Sequence, residues 1–315
     1  MTTVLILGGG GMIGQKLARS LTTSDVTLFD IAFPPDGAPE QQITGNIADP
    51  AKVQALAARR PDVIYHLAAI VSGQAETDFE MGWDINMMAM WHLLNALKAE
   101  HDASNGTYVP KIVFTSSIAV FGAPFPEKID DDFLTAPQTS YGAQKAGCEL
   151  MLSDFSRKGF VDGIALRLPT ICVRPGAPNA AASGFFSGII REPLNGVQAP
   201  LPVPDTVRHW HASPRAAVGF LRKAAQLDTE VLQGRRALNL PGISVTVAQQ
   251  IEALRRVAGQ DAVKLIQPAP DDAIMGIVRG WPQDFAPQRA QALGFEAEDS
   301  FDEIIKVYLE DDFQK

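Results

Sequence analysis

The sequence predicts an α/β fold, a doubly wound parallel sheet followed by a smaller C-terminal lobe. Three observations carry that expectation. Short apolar runs alternate with helical patterns through the first half of the chain. A glycine-rich turn joins the first apolar run to the first helical pattern. Past Leu168 the alternation breaks down and proline and glycine become frequent.

The elements follow in order. Residues 4–7 (Val-Leu-Ile-Leu) read as a buried strand, and 12–21 as a helix with Ile13, Leu17 and Leu21 on one stripe. Residues 26–29 and 42–44 read as strands, 50–59 as a helix and 62–67 as a fourth strand. The spacing predicts one long helix over 79–100, then a strand at 111–115, a helix at 141–158 and a sixth strand at 163–168. Continuous apolar strands separated by helices imply a parallel sheet covered on both faces. Residues 1–168 are therefore expected to form one domain. Residues 169–315 are expected to form mainly a second lobe, with some segments returning to the first. Within it, Pro169, Pro175, Gly176, Pro178, Pro193, Pro200, Pro202 and Pro204 suggest long loops around short elements over 169–205. Helical patterns return at 214–227, 247–258 and 301–309.

Composition excludes several functions. The formal net charge is −9 and no Lys/Arg run exceeds two residues, so no nucleic-acid partner is expected. No apolar run approaches the ~18 residues of a membrane span, and the N-terminus lacks the pattern of a signal peptide. Cys148 and Cys172 stand in apolar stretches outside any CxxC pattern, which implies buried free thiols, no metal cluster and a cytoplasmic setting.

Gly8, Gly11 and Gly14 form GxxGxxG after the first strand, and Met12 and Ile13 open the helix. Such a turn brings bare backbone and a helix N-terminus to a pyrophosphate, the arrangement of a Rossmann-type dinucleotide site. Asp30 ends the second strand, where an acid accepts hydrogen bonds from the adenosine ribose and repels a 2′-phosphate. Ile31, Ala32 and Phe33 offer no cation for that phosphate, so NAD is expected rather than NADP.

Tyr141 and Lys145 form YxxxK, with both residues on one helical face. A free tyrosine titrates near pH ~10, and a neighbouring ammonium favours its ionised form. Thr115-Ser116-Ser117 ends the fifth strand, where a hydroxyl can orient a reacting substrate oxygen.

In this order, LILGGGGMIG (5–14), Asp30, GNIAD (45–49), HLAA (66–69), Asn86, TSSIAVFG (115–122), YGAQK (141–145) and LRLPTI (166–171) resemble the extended short-chain dehydrogenase/reductases. The resemblance covers roughly the first 215 residues. It implies a catalytic triad of Ser117, Tyr141 and Lys145. Cofactor contacts are implied at Asn46, Ile47, Leu67, Ala68, Ala69, Asn86, Ser116, Pro169, Thr170 and Ile171, with Asn46 standing where the family more often has Asp. It also implies a homodimer through the helices 79–100 and 141–158. Ile118 occupies the place of the acid that the family's dehydratases carry, which argues against dehydration.

The segments 268–282, 289–295 and 301–312 resemble the subgroup that oxidises the small sugar acid D-erythronate at C2 with NAD. On that resemblance the partner is a small-molecule substrate. Arg174 is expected to hold its carboxylate, Ser117 and Tyr141 its C2 hydroxyl, and Ser72 and Asn179 its other hydroxyls. A sugar-nucleotide 4-epimerase is the alternative, with Arg174, Arg191, Arg208 and Arg215 as candidate cations for a diphosphate. A dinucleotide-sensing regulator without catalysis also remains open, although retention of all three triad residues argues against it.

Overall fold

In a computed structural model, which describes residues 1–176 and 182–313, the chain forms two compact units. The first comprises Met1–Val120, Thr139–Arg167 and Phe220–Leu238, and the second Phe121–Gln138, Leu168–Gly219 and Asn239–Lys315.

The first unit holds a seven-stranded, mostly parallel sheet. Its strands are β1 (Thr3–Leu7), β2 (Asp25–Asp30), β3 (Gln41–Thr44), β4 (Val63–His66), β5 (Lys111–Ser117), β6 (Asp162–Leu168) and a seventh, Ala237–Asn239. Their spatial order is seventh strand, β6, β5, β4, β1, β2, β3. The chain therefore reverses its direction of travel between β1 and β4, and ligands of such sheets bind at the carboxyl ends beside that reversal. Register aligns those ends. Leu7 lies opposite both Phe29 and His66, and His66 lies opposite Phe114. Leu5, Leu7, Phe29, Ile64, Ile112 and Phe114 are buried in one core with Leu93, Leu94 and Leu97 of a covering helix.

Local chemistry fixes the helix ends. Asp49 caps the helix Pro50–Ala57, its side chain accepting from Ala51 N, and Pro50 supplies a first residue with no N–H to satisfy. Thr139 caps Ser140–Arg157 by accepting from Gly142 N. The expected long helix over 79–100 forms in three parts: Phe79–Trp83, a π-helical turn Asp84–Met88, and Ala89–Ala103. A π turn admits an extra residue and re-aims a side chain. Here it holds Asn86, which is 1% exposed.

The second unit is built from shorter pieces. Ile243–Thr246, Arg208–Ala212 and Thr170–Ile171 make a three-stranded sheet, and Ile266–Pro268 pairs with Ala199–Leu201. Helices Gly184–Leu194, Val247–Ala258 and Phe301–Asp311 supply the core, led by Phe186, Ile189, Ile190, Leu254, Ile304 and Ile305. The helix Gly184–Leu194, 11 residues long, corrects the expectation that 169–205 holds only short elements between long loops. Phe186, Ile189, Ile190 and Pro193 are buried at the spacing of one helical face. Pro193 falls in the last turn, so prolines read as loop markers concealed that periodicity.

Candidate active site

The glycine turn connects β1 to the helix Met12–Ser20. Gly8 has φ +87°, and a Cβ there would lie 2.6 Å from Ala68 N. A Cβ on Gly14 would overlap Gly8 O. Both glycines are thus required by the protein's own packing. Gly11 is different. Its φ is −73°, which any residue adopts, and the nearest atom to a Cβ there is Gly8 O at 3.5 Å. Nothing in the protein demands a bare residue at this exposed position, but a pyrophosphate approaching the backbone does. Gly11 is also the N-cap of a helix with no side-chain cap and no acid in its first turn. The N-terminal amides and the helix dipole there suit an anion.

Asp30 stands beside this turn. Its carboxylate accepts from Gly10 N at 2.9 Å and from Ile31 N at 2.7 Å, which aims it along the sheet edge. Each oxygen keeps a lone pair for a ribose hydroxyl. Sequence reasoning missed Gln15, which is 5% exposed and ties the glycine turn to the next loop. Gln15 Nε2 donates to Gly9 O at 2.6 Å, and Gln15 Oε1 accepts from Ala38 N at 2.5 Å. A polar residue directly after the third glycine, on the face that packs inward, was the available signal.

Leu67, Ala68 and Ala69 follow β4, and Leu67 N donates to Leu7 O at 2.8 Å, so this segment lies against the glycine turn. Ser72 begins the short helix Ser72–Thr77 and is partly exposed. Asn86 does not face a ligand with its amide. Its Oδ1 accepts from Ile70 N at 2.9 Å and its Nδ2 donates to Gln144 Oε1 at 2.7 Å, linking the segment after β4 to the helix Ser140–Arg157. Asn46 is exposed, and its side-chain oxygen accepts from Ala48 N within its own turn. Ile47 is 5% exposed and its side chain belongs to the core.

Ser117, Tyr141 and Lys145 stand on two neighbouring elements of the first unit. Tyr141 lies in the first turn of Ser140–Arg157 and Lys145 one turn on. Lys145 is 1% exposed; its Nζ donates to Thr115 O at 2.9 Å and lies 5.5 Å from the centre of the Tyr141 ring. Burial lowers its pKa from 10.5 to about 8. Ser117 ends β5, partly exposed, with Oγ accepting from Ala119 N at 3.1 Å. Strand alternation puts Thr115 and Ser117 on one face and Ser116 on the other. Ser116 accordingly is 3% exposed, and its Oγ donates to Glu149 Oε1 at 2.5 Å. The hydroxyl expected at the cofactor is directed into the protein.

In the second unit, Pro169 is buried and Thr170 Oγ1 pairs with His209 Nε2 at 2.7 Å. His209 Nδ1 lies 3.0 Å from Pro282 O, and burial pushes its pKa down from 6.5 to about 4. The ring is therefore neutral with its proton on Nδ1, and Thr170 donates to Nε2. Ile171 pairs with Ala212 in a short parallel ladder. Arg174 donates from Nε to Ile171 O at 3.0 Å, and its backbone N donates to Ser187 Oγ at 3.0 Å. Asn179 lies outside the described residues. Among the described residues, no group of three or more His, Cys, Asp or Glu could hold a metal, and no helix is long and apolar enough to cross a membrane.

The family described as the NAD dependent epimerase/dehydratase family matches residues 4–212. A D-erythronate dehydrogenase of Cupriavidus necator is 46% identical over 98% of each chain. One from Haemophilus influenzae is 40% identical over 98% of this chain and 99% of its own. The crystal structure of the nucleoside-diphosphate-sugar epimerase from Agrobacterium tumefaciens superposes with a TM-score of 0.92 at 51% identity, covering 99% of this chain and 94% of that one.

Proposed function

The chain belongs to the NAD dependent epimerase/dehydratase family, and we propose that it oxidises D-erythronate, or a close four-carbon sugar acid, at C2. The reaction rests on one observation: the buried Lys145, fixed on Thr115 O, presents its ammonium to the Tyr141 ring. The substrate class rests on the two dehydrogenases that match over nearly the whole chain.

The residues present fit NAD, because Gly11 leaves backbone bare with no internal reason and Asp30 holds a carboxylate beside it. Bound there, NAD supplies the hydride acceptor. The Ser117 hydroxyl holds the C2 oxygen of the substrate. Tyr141, as phenolate, removes the proton of that hydroxyl. Lys145 favours the phenolate by its charge and passes the proton on to solvent. Arg174 binds the substrate carboxylate, and Ser72 binds a further hydroxyl. Pro169, Thr170 and Ile171 flank the nicotinamide.

The reading is tested by absorbance at the NADH band with NAD and a panel of four- to six-carbon sugar acids. A rise with D-erythronate, lost in Tyr141→Phe, supports it. The 51% identity to a structure described as a sugar-nucleotide epimerase favours a second reading. Interconversion of a sugar nucleotide with no net NADH would establish that one instead.

A homodimer through the helices Ala89–Ala103 and Ser140–Arg157 belongs to the same proposal. Trp91 is 42% and Leu150 73% exposed, large apolar groups open on both helices. Sedimentation as a dimer at micromolar concentration, reduced to monomer in Trp91→Glu, is the expected result.

A further inference from the structure

Tyr141, Lys145 and Glu149 recur every four residues along the helix Ser140–Arg157, so the three stand on one stripe. The first two account for the chemistry. Glu149 is 7% exposed and needs its own account. Its carboxylate accepts from Ser116 Oγ at 2.5 Å and from Arg167 through Nε at 3.0 Å and Nη2 at 2.7 Å. Ser116 belongs to β5 and Arg167 to β6, so one carboxylate fastens the helix to two adjacent strands.

The helix thus grips the end of β5 at two successive residues. Lys145 holds the carbonyl of Thr115, and Glu149 holds the hydroxyl of Ser116. The next residue is Ser117. We propose that Glu149, with Arg167 as its counter-ion, is a positioning residue that sets Ser117 against Tyr141 and Lys145. It acts through the backbone of β5 and touches neither substrate nor cofactor. This rests on the reading that Ser117, Tyr141 and Lys145 carry the reaction.

The same carboxylate contributes charge. Burial keeps two of the titratable groups around Lys145 neutral near pH 7, holding His66 of β4 down to about 3 and the Cys148 thiol up to about 12. Tyr141 shares the stripe and is the group whose ionised form Lys145 favours, and Phe114 of β5 presents only its ring, 4.7 Å from Lys145 Nζ. Glu149, one turn on and paired with Arg167, raises the affinity of Lys145 for its proton.

Ser116→Ala gives the first test, because it removes one contact and leaves the ion pair whole. The expected result is a fall of roughly tenfold in kcat, the cost of a small misplacement of reacting groups. KM and the calorimetric Kd for NADH stay unchanged. Glu149→Gln and Arg167→Met give the second. Loss of the anion beside Lys145 moves the alkaline limb of the kcat profile to lower pH, and loss of the cation moves it to higher pH, each by ~0.5 unit or more. A Ser116→Ala enzyme with wild-type kcat overturns the proposal, as do limbs that move in the same direction. A rise in the Kd for NADH would instead assign Ser116 to the cofactor and overturn it too. Tyr141→Phe is assayed alongside. Full activity there would remove the underlying reading and the proposal together, whereas an inactive Tyr141→Phe beside a normal Ser116→Ala removes the proposal alone.

Discussion

The two units use buried polar side chains differently. In the unit with the seven-stranded sheet, Ser116, Asn86, Gln144, Lys145, Glu149 and Arg167 gather around one helix and the ends of the strands it covers. In the other unit the buried polar groups are spread out and brace short elements. His209 spans Thr170 and Pro282 while stacking on Phe186 at 5.1 Å. His211 pairs with Gln250. Arg191 donates to Arg174 O, and Trp210 Nε1 to Leu240 O. In the first unit the cluster joins one helix to the strands that carry Ser116 and Ser117, whereas in the second each side chain ties one short element or loop to another. The cluster of the first unit should therefore serve turnover, and the braces of the second should serve stability.

The largest effect that tests this contrast is Tyr141→Phe. Loss of a positioned general base should lower kcat by about 10³-fold with Tm and NADH affinity unchanged. A drop in Tm instead would make Tyr141 a structural group and break the contrast. His209→Ala should do the reverse. Removing a fully buried ring and both its hydrogen bonds should cost about 3 kcal/mol in denaturant unfolding. Unfolding at the wild-type midpoint would refute the bracing role.

Acid sharpens the comparison next. The first unit buries His66 and the second buries both His209 and His211. Burial depresses His66 to about 3 and His209 to about 4, and holds His211 well below the ordinary 6.5. Each group has a folded pKa below its unfolded one, so the unfolded chain takes up the proton first as pH falls. The stability is fully present above pH 6.5 and is lost as pH falls toward about 4. The loss is about 1.4 kcal/mol per pH unit for each histidine. Amide protection factors, with the intrinsic exchange rate at each pH divided out, should therefore fall more between pH 7 and 5 in the strand Arg208–Ala212 than in β4. An equal fall would show that the second unit does not depend more on neutral histidines. The smallest effect concerns Gly11. Gly11→Val should weaken NADH binding by about tenfold or more without changing Tm, since only a ligand's phosphates meet the added side chain. Unchanged affinity would remove the cofactor from the glycine turn.

The same contrast explains what could be read from the chain. β1, β2, β4, β5 and β6 and the helix of Tyr141 and Lys145 stand within a few residues of where the apolar periodicity places them, because continuous buried strands and a one-turn spacing are local patterns. The helix Gly184–Leu194 was hidden by prolines read as loop markers, and the π turn at Asp84–Met88 leaves no mark in hydrophobic spacing. The glycine turn with Asp30 beside it and the one-turn spacing of Tyr141 and Lys145 stand where the local pattern places them. Glu149 could have been found, since it continues the Tyr141–Lys145 spacing by one more turn. The inward direction of Ser116 and Ile47 could not.

By itself, the sequence determined the parallel sheet, the order of the elements and the residue types at the glycine turn and the YxxxK pair. Those follow from spacing along the chain, which a helix or a strand converts directly into position. Only the tertiary structure decided which polar groups meet: Lys145 with Thr115 O, Glu149 with Ser116 and Arg167, Asn86 with Gln144, and His209 with Thr170 and Pro282. Those partners lie up to 73 positions apart in the chain. What brings them together is the packing of helices on strands and the requirement that a buried donor find an acceptor, neither of which is written in any local stretch of sequence.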